Sequence, residues 1–170
     1  MYNFDSYDVN STDNDECMIF YDWLADSATS SHVSAQREAF TTYILLNNST
    51  ATGVGGKEAK ITGHGTVELL SECNGFKYIL CLENVLHIPG QKNDLISLGR
   101  WDEAGGRYSG GGGKITLITK DGKQIAKGKK INKNMYKMFV SINQTDSSPK
   151  KHCSTPQTFL GDTMGVPKFR

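Results

Sequence analysis

The sequence predicts an all-β fold: a small closed barrel with one short helix, spanning about residues 18–140. Three observations predict it. Runs rich in β-branched and aromatic residues recur, among them Thr41–Leu46, Thr66–Leu70, Val85–Ile88, Lys114–Thr119 and Met135–Val140. Asn74-Gly75 and Asp121-Gly122 each signal a two-residue type I′ hairpin between such runs. No segment requires a helix longer than two or three turns.

The elements follow in order. Residues 1–17 are rich in Asp, Asn, Ser and Thr and poor in apolar side chains, so a disordered acidic lead-in is expected. Met18-Ile19-Phe20 and Trp23-Leu24 supply a buried strand ahead of Asp26. Ser34–Phe40 fits one short helical turn with Ser34 as its cap. Thr41–Leu46 reads as the next strand, and Thr52-Gly53-Val54-Gly55-Gly56-Lys57 as a flexible glycine hairpin. Lys60-Ile61-Thr62 and Thr66–Leu70 flank Gly63-His64-Gly65. Tyr78-Ile79-Leu80 returns from Asn74-Gly75, and Val85–Ile88 stops at the Pro89-Gly90 turn. Asp94–Trp101 mixes strand and helix spacing, with Asp94 as a candidate cap. After Gly110–Gly113, Lys114–Thr119 alternates at period two and turns at Asp121-Gly122. A last strand lies near Met135–Val140, and residues 141–170 read as a flexible tail.

Composition narrows the function classes. The chain has 170 residues, enough for one domain with tails. No segment approaches the roughly 20 apolar residues that span a bilayer, and Met1–Asp5 lacks the apolar core of a secretory signal. Cys17, Cys73, Cys81 and Cys153 show no C-x-x-C spacing. The reading is a protein with free thiols that needs no cofactor or metal and makes no membrane contact. Its expected setting is intracellular and cytoplasmic, with a virus-like particle or the nucleus as further settings.

The net charge of +1 conceals a strong polarity. Residues 1–26 carry seven acidic side chains and no Lys or Arg, whereas residues 114–137 carry eight lysines against Asp121 alone. Opposite ends of opposite sign fit mutual attraction, a basic patch for an anionic partner, or a plain solvated hairpin.

Several catalytic motifs are excluded. The glycine run does not complete a P-loop, because Lys114 is followed by Ile115 and Tyr108 stands at the first glycine position. Gly53-Val54-Gly55 lacks the third glycine of a dinucleotide fingerprint, where Glu58 stands. His32, His64, His87 and His152 share no metal-like spacing with Cys or carboxylates. Ser27, Ser30 and Ser31 lack a nucleophile elbow.

The most informative stretch is Trp23–His32. An apolar run drives into Asp26, followed at once by the small residues Ser27-Ala28-Thr29-Ser30-Ser31. Such a carboxylate meets hydroxyl and backbone N–H donors as the chain leaves a buried strand. That is the environment an aspartic protease needs, and an ordinary serine-rich turn at the end of a strand has the same composition.

With this turn, the glycine hairpin Thr52–Gly56, Val85-Leu86-His87-Ile88-Pro89-Gly90 and Asn93–Trp101 follow in one order. Over roughly residues 20–140 the chain resembles the protease region of copia-type LTR retrotransposon Gag-Pol polyproteins. The resemblance implies a retropepsin-like barrel, active as a homodimer on a polypeptide substrate. Asp26, Ser27 and Ala28 fall at the catalytic signature, and Gly53, Val54, Gly55 and Gly56 at the substrate-binding flap. Leu95 and Ile96 would pack behind the catalytic turn.

In such a dimer two Asp26 carboxylates about 3 Å apart share one proton, since both cannot ionise at that distance. The ionised member activates water, and its protonated mate supports the oxyanion. Ser27 would bridge the two turns. Where the family has Gly-Ala, this chain has Ala28-Thr29. The added Cβ costs little at negative φ, and about 1–3 kcal/mol in a glycine-only conformation. The alternative function is a catalytically inactive barrel acting in dimerisation or in nucleic-acid binding through the lysine-rich segment.

Overall fold

The computed structural model describes residues 22–53, 56, 58–131, 135–143 and 168–169. The expected lead-in and the Met18-Ile19-Phe20 strand lie outside the described residues, as does most of the expected tail. The strands are β1 (Trp23–Asp26), β2 (Val33–Ser34), β3 (Phe40–Thr52), β4 (Glu58–Cys73), β5 (Phe76–His87), β6 (Asp94–Ser97), β7 (Arg107–Gly111), β8 (Lys114–Ile118), β9 (Gln124–Lys130), β10 (Tyr136–Met138), β11 (Val140–Ile142) and β12 (Lys168–Phe169). A 3₁₀ turn covers Arg37–Ala39, and one helix, α1, covers Leu98–Glu103.

Among the described residues the fold is all-β with one short helix, as expected, but the sheet is open and not the expected closed barrel. The strands form one open sheet, ordered β11-β4-β5-β2-β6-β1-β10-β9-β8-β7, with β3 on β4 and β12 on β5. Closure fails because the two ends of the path never meet edge to edge. The outer edge of β4 is shared, with β3 against residues 58–67 and β11 against residues 69–71. The sheet instead curls so that β4 lies across β9, where Ser71 Oγ donates to the Ile125 carbonyl. Trp23, Val67, Leu69, Leu80, Leu82, Ile96, Leu117 and Ile125 fill the core between these layers. Burying each large side chain contributes about 1.5–3 kcal/mol.

The turns divide into two kinds. Asn74 and Gly75 both take positive φ, 56° and 80°, as a type I′ hairpin demands. At Asp121-Gly122 only Gly122 does (φ 85°). Gly122 N–H and Thr119 N–H bond to the carbonyls of Thr119 and Lys123, both at 2.9 Å, giving a longer loop than the expected two-residue turn. The Thr119 hydroxyl bonds the Asp121 carboxylate and receives the Lys123 N–H, which fixes that loop. Among the described residues Gly112-Gly113, with φ of 57° and 77°, forms a second two-residue turn, between β7 and β8.

Two helix caps also differ from expectation. Asp94 begins β6 instead of capping a helix, and Ser97 caps α1 by accepting the Arg100 N–H. The 3₁₀ turn has Gln36 at its N-cap, while the Ser34 hydroxyl accepts the Gln36 N–H. The expected last strand breaks at Phe139 into β10 and β11, which pair with different neighbours.

Candidate functional site: the Asp26 turn

β6 lies between β1 and β2, parallel to the first and antiparallel to the second. The loop 27–32 joining β1 to β2 must therefore cross the C-terminal end of β6. In register, Leu24 faces Leu95, Ala25 faces Ile96 and Asp26 faces Ser97. Ile96 is fully buried and Leu95 half-buried, so an apolar strand lies beside the acidic turn.

Asp26 ends β1 half-buried, and its Oδ1 accepts the Ala28 N–H at 2.8 Å. This is an Asx-type turn, in which a short carboxylate captures a donor two residues on. Ser27 and Ala28 are exposed. Asn48, Asn74 and Asn84 are the non-glycine residues with positive φ among those described, and Ala28 is not one of them. Its Cβ therefore carries no left-handed backbone penalty. The Thr29 hydroxyl donates to the Ser31 carbonyl at 3.0 Å, so this larger residue is used within its own loop.

Ser97 latches the loop down. Its hydroxyl donates to the Thr29 carbonyl at 2.7 Å and accepts the Arg100 N–H. Its backbone N–H donates to His32 Nδ1 at 3.0 Å. His32 is buried, and its pKa is pushed down from 6.5 to about 4, first by burial and second by the Arg100 charge. The ring is thus a neutral acceptor on Nδ1. Neither Ser97 nor His32 was singled out as a site residue from sequence. Their partnership spans 65 residues, and no local pattern announces it.

The glycine segment lies at the tip of the β3–β4 hairpin. Thr52 pairs with Glu58, and the Gly56 N–H donates to the Gly53 carbonyl at 3.1 Å, with Gly56 at φ 73°. Val54 and Gly55 lie outside the described residues. Beneath this hairpin Val33, Ile61 and Ile88 form a small second core, with Leu46, Leu86 and Leu95 packed on it.

The base of the hairpin is held by a polar knot. His87 Nε2 donates to the Ala35 carbonyl, and Nδ1 accepts the hydroxyls of Tyr43 and Thr62, both at 2.8 Å. Gly63 and Gly65 explain how Tyr43 gets there. A Cβ at Gly63 would stand 2.3 Å from the Tyr43 ring, and one at Gly65 2.0 Å from the Thr42 carbonyl oxygen. Asp94, buried below, accepts the Ala35 N–H at 2.8 Å, and burial raises its carboxyl above the usual range. One face of the hairpin is thereby tied to β2 and β5.

Fold and turn together define an all-β domain built around an aspartate-bearing crossover loop. Residues 23–106 match the model of the family described as Pol polyprotein, beta-barrel domain. The match supports a retroelement Pol polyprotein region and takes in the Asp26 turn, the glycine hairpin and α1. No curated protein and no solved structure matches the chain. Among the described residues, no helix is long and apolar enough to cross a membrane.

Proposed function

We propose that the chain is a retropepsin-like aspartic endopeptidase domain of a retroelement Gag-Pol polyprotein, working as a homodimer with one Asp26 from each copy. The observation that carries this reading is the turn itself. Asp26 leaves a buried strand, takes an N–H from its own loop, and stands on a loop latched to β6 by Ser97 and His32. A carboxylate so held loses little freedom when a second one approaches. Exposed Ser27 and Ala28 leave this side of the loop open to a partner copy.

In the dimer the two carboxylates share a proton. The ionised one takes a proton from water, which attacks the peptide carbonyl. The other donates to the developing oxyanion, and a proton then passes to the leaving amine. Gly53–Gly56 closes over the substrate from the hairpin tip, and Leu86 and Leu95 offer apolar surface to its side chains.

The test is cleavage of a peptide library at pH 4–6 by the full chain and by Asp26→Asn. Pepstatin-sensitive cleavage that disappears in the variant is the expected result. A chain that dimerises in solution yet cleaves nothing overturns the enzymatic reading in favour of an inactive barrel.

A further inference from the structure

Beside β1, on which β10 pairs at Leu24 and Ala25, the lysine-rich strands arrange their charges in a way that folding does not favour. Lys129 on β9 stands directly opposite Lys114 on β8 and directly opposite Lys137 on β10. Directly paired residues on adjacent antiparallel strands share a face, with Cβ atoms about 5 Å apart. Three like charges thus form one row across three strands, an arrangement that costs stability. Lys137 is relieved by the Asp22 carboxylate. Among the described residues neither Lys114 nor Lys129 has a carboxylate partner, and both are exposed.

The same face carries two further features. Thr116 pairs with Lys127 on one side and Ser109 on the other, placing two hydroxyls beside the row. The Phe139 N–H donates to the Lys127 carbonyl at 2.8 Å, which extends the β10 ladder by one residue and sets Phe139 opposite Lys127. Phe139 as a whole is 51 % exposed, while Met138 next to it is 2 % exposed and faces the core. An exposed aromatic ring within a row of cations is how proteins hold a single strand of nucleic acid, with cations on phosphates and the ring under a base. An acidic peptide would use the charges and leave the ring idle. An anionic bilayer would need more exposed apolar surface than one ring.

We propose that the outer face of β8, β9 and β10 binds single-stranded nucleic acid, with Lys114 and Lys129 on the phosphates and Phe139 stacked on a base. Lys114 and Lys129 lie one strand spacing apart, about 5 Å, so these long side chains reach successive phosphates. No residue of the Asp26 turn takes part, and the proposal stands whether or not the chain cleaves peptides.

The experiment is fluorescence anisotropy of labelled 20-mers of oligo(U) and oligo(dT) with the full chain, across salt concentrations. Wild type is expected to bind at 50 mM salt and to weaken steeply as salt rises. Lys114→Gln/Lys129→Gln should weaken binding roughly 10- to 100-fold at low salt and flatten the salt slope by about 1.4, at ~0.7 per lost phosphate contact. Phe139→Ala should weaken it at least about fivefold with the slope unchanged. Lys114→Arg/Lys129→Arg should bind as wild type, and melting curves check that every variant folds. A preference between the two oligonucleotides says whether RNA or DNA is the better ligand, and binding to either supports the proposal. Absence of binding by wild type at 50 mM salt overturns it. So does wild-type binding by the double Gln variant, or competition by polyglutamate as effective as by unlabelled oligo(U). Binding to phosphatidylserine vesicles without binding to either oligonucleotide overturns it in favour of a membrane.

Discussion

The backbone N–H of Ser97 donates to Nδ1 of His32 at 3.0 Å, fastening the end of the aspartate-bearing loop to the end of β6. The bond requires an unprotonated Nδ1, and the buried ring, with its pKa near 4, supplies one. The latch therefore holds at pH values well above 4 and opens as pH approaches 4.

A pH dependence of stability follows, with a definite sign. His32 has a folded pKa of about 4 against 6.5 unfolded, so between these values the unfolded chain binds the extra proton. Stability is full above pH 6.5 and falls as pH drops toward 4, by at most about 3 kcal/mol at 1.36 kcal/mol per unit. Asp94, with its raised pKa, acts in the opposite sense, gaining stability as pH falls. Chemical denaturation of wild type and His32→Asn from pH 7 to 4.5 measures this. The Asn variant keeps an acceptor for Ser97 N–H and should lose the downward slope assigned to His32.

Ser97→Ala removes both roles of the buried hydroxyl at once. It leaves the Thr29 carbonyl without its donor and the Arg100 N–H without its cap. A lost cap costs about 0.5–2 kcal/mol and an unpaired buried group about 1–3 kcal/mol. A destabilisation of about 2–3 kcal/mol is expected in urea melts. Ser97→Thr, which restores the hydroxyl, should recover part of it.

Ala28→Gly with Thr29→Ala tests the proposed catalytic turn where it departs from the pattern of the family it resembles. Ala28 sits outside the positive-φ region, so the change should not stabilise the monomer. Any gain must arise where two turns approach, because removing Cβ groups there lets the carboxylates draw closer. A carboxylate misplaced by ~1 Å costs on the order of 100-fold in rate. The double variant should raise kcat of pepstatin-sensitive cleavage by ten- to 100-fold without raising Tm. Equal rates for variant and wild type would show that Ala28 is accommodated.

Gly106→Ala should damage the fold at a distance from the turn. A Cβ there would lie 2.4 Å from Nε1 and 2.5 Å from Cε2 of Trp101, a ring that is 3 % exposed and donates to the Arg107 carbonyl at 2.9 Å. Overpacking of this kind costs about 1–3 kcal/mol. A lowered melting midpoint with perturbed tryptophan fluorescence is the expected outcome.

The sequence by itself determined what local chemistry can dictate. Period-two alternation in Lys114–Thr119 wrote β8, the Asn74-Gly75 pair wrote its hairpin, and Pro89-Gly90 wrote a turn in which Gly90 takes φ 84°. The turn at Asp26 was legible because an apolar run, Trp23-Leu24-Ala25, gives way at once to Asp26 and small hydroxylic residues, and Asp26 ends β1. Residue pattern alone did not say where β6 inserts, although the resemblance set Leu95 and Ile96 behind the Asp26 turn. Residues 94–97 could add to a sheet edge or start a helix, and only the burial of Leu95 and Ile96 against Leu24 and Ala25 places them between β1 and β2. That insertion alone brings Ser97 beneath the loop and gives His32 its partner. The open edge of the sheet lies beyond local pattern for a similar reason. Strand pattern fixes which face is buried, whereas the pairing of distant edges depends on how strands twist and which neighbour captures each edge first. The lysine row belongs to the same class of fact. Eight lysines are countable in the chain, but only the register of β8, β9 and β10 aligns Lys114, Lys129 and Lys137 on one face.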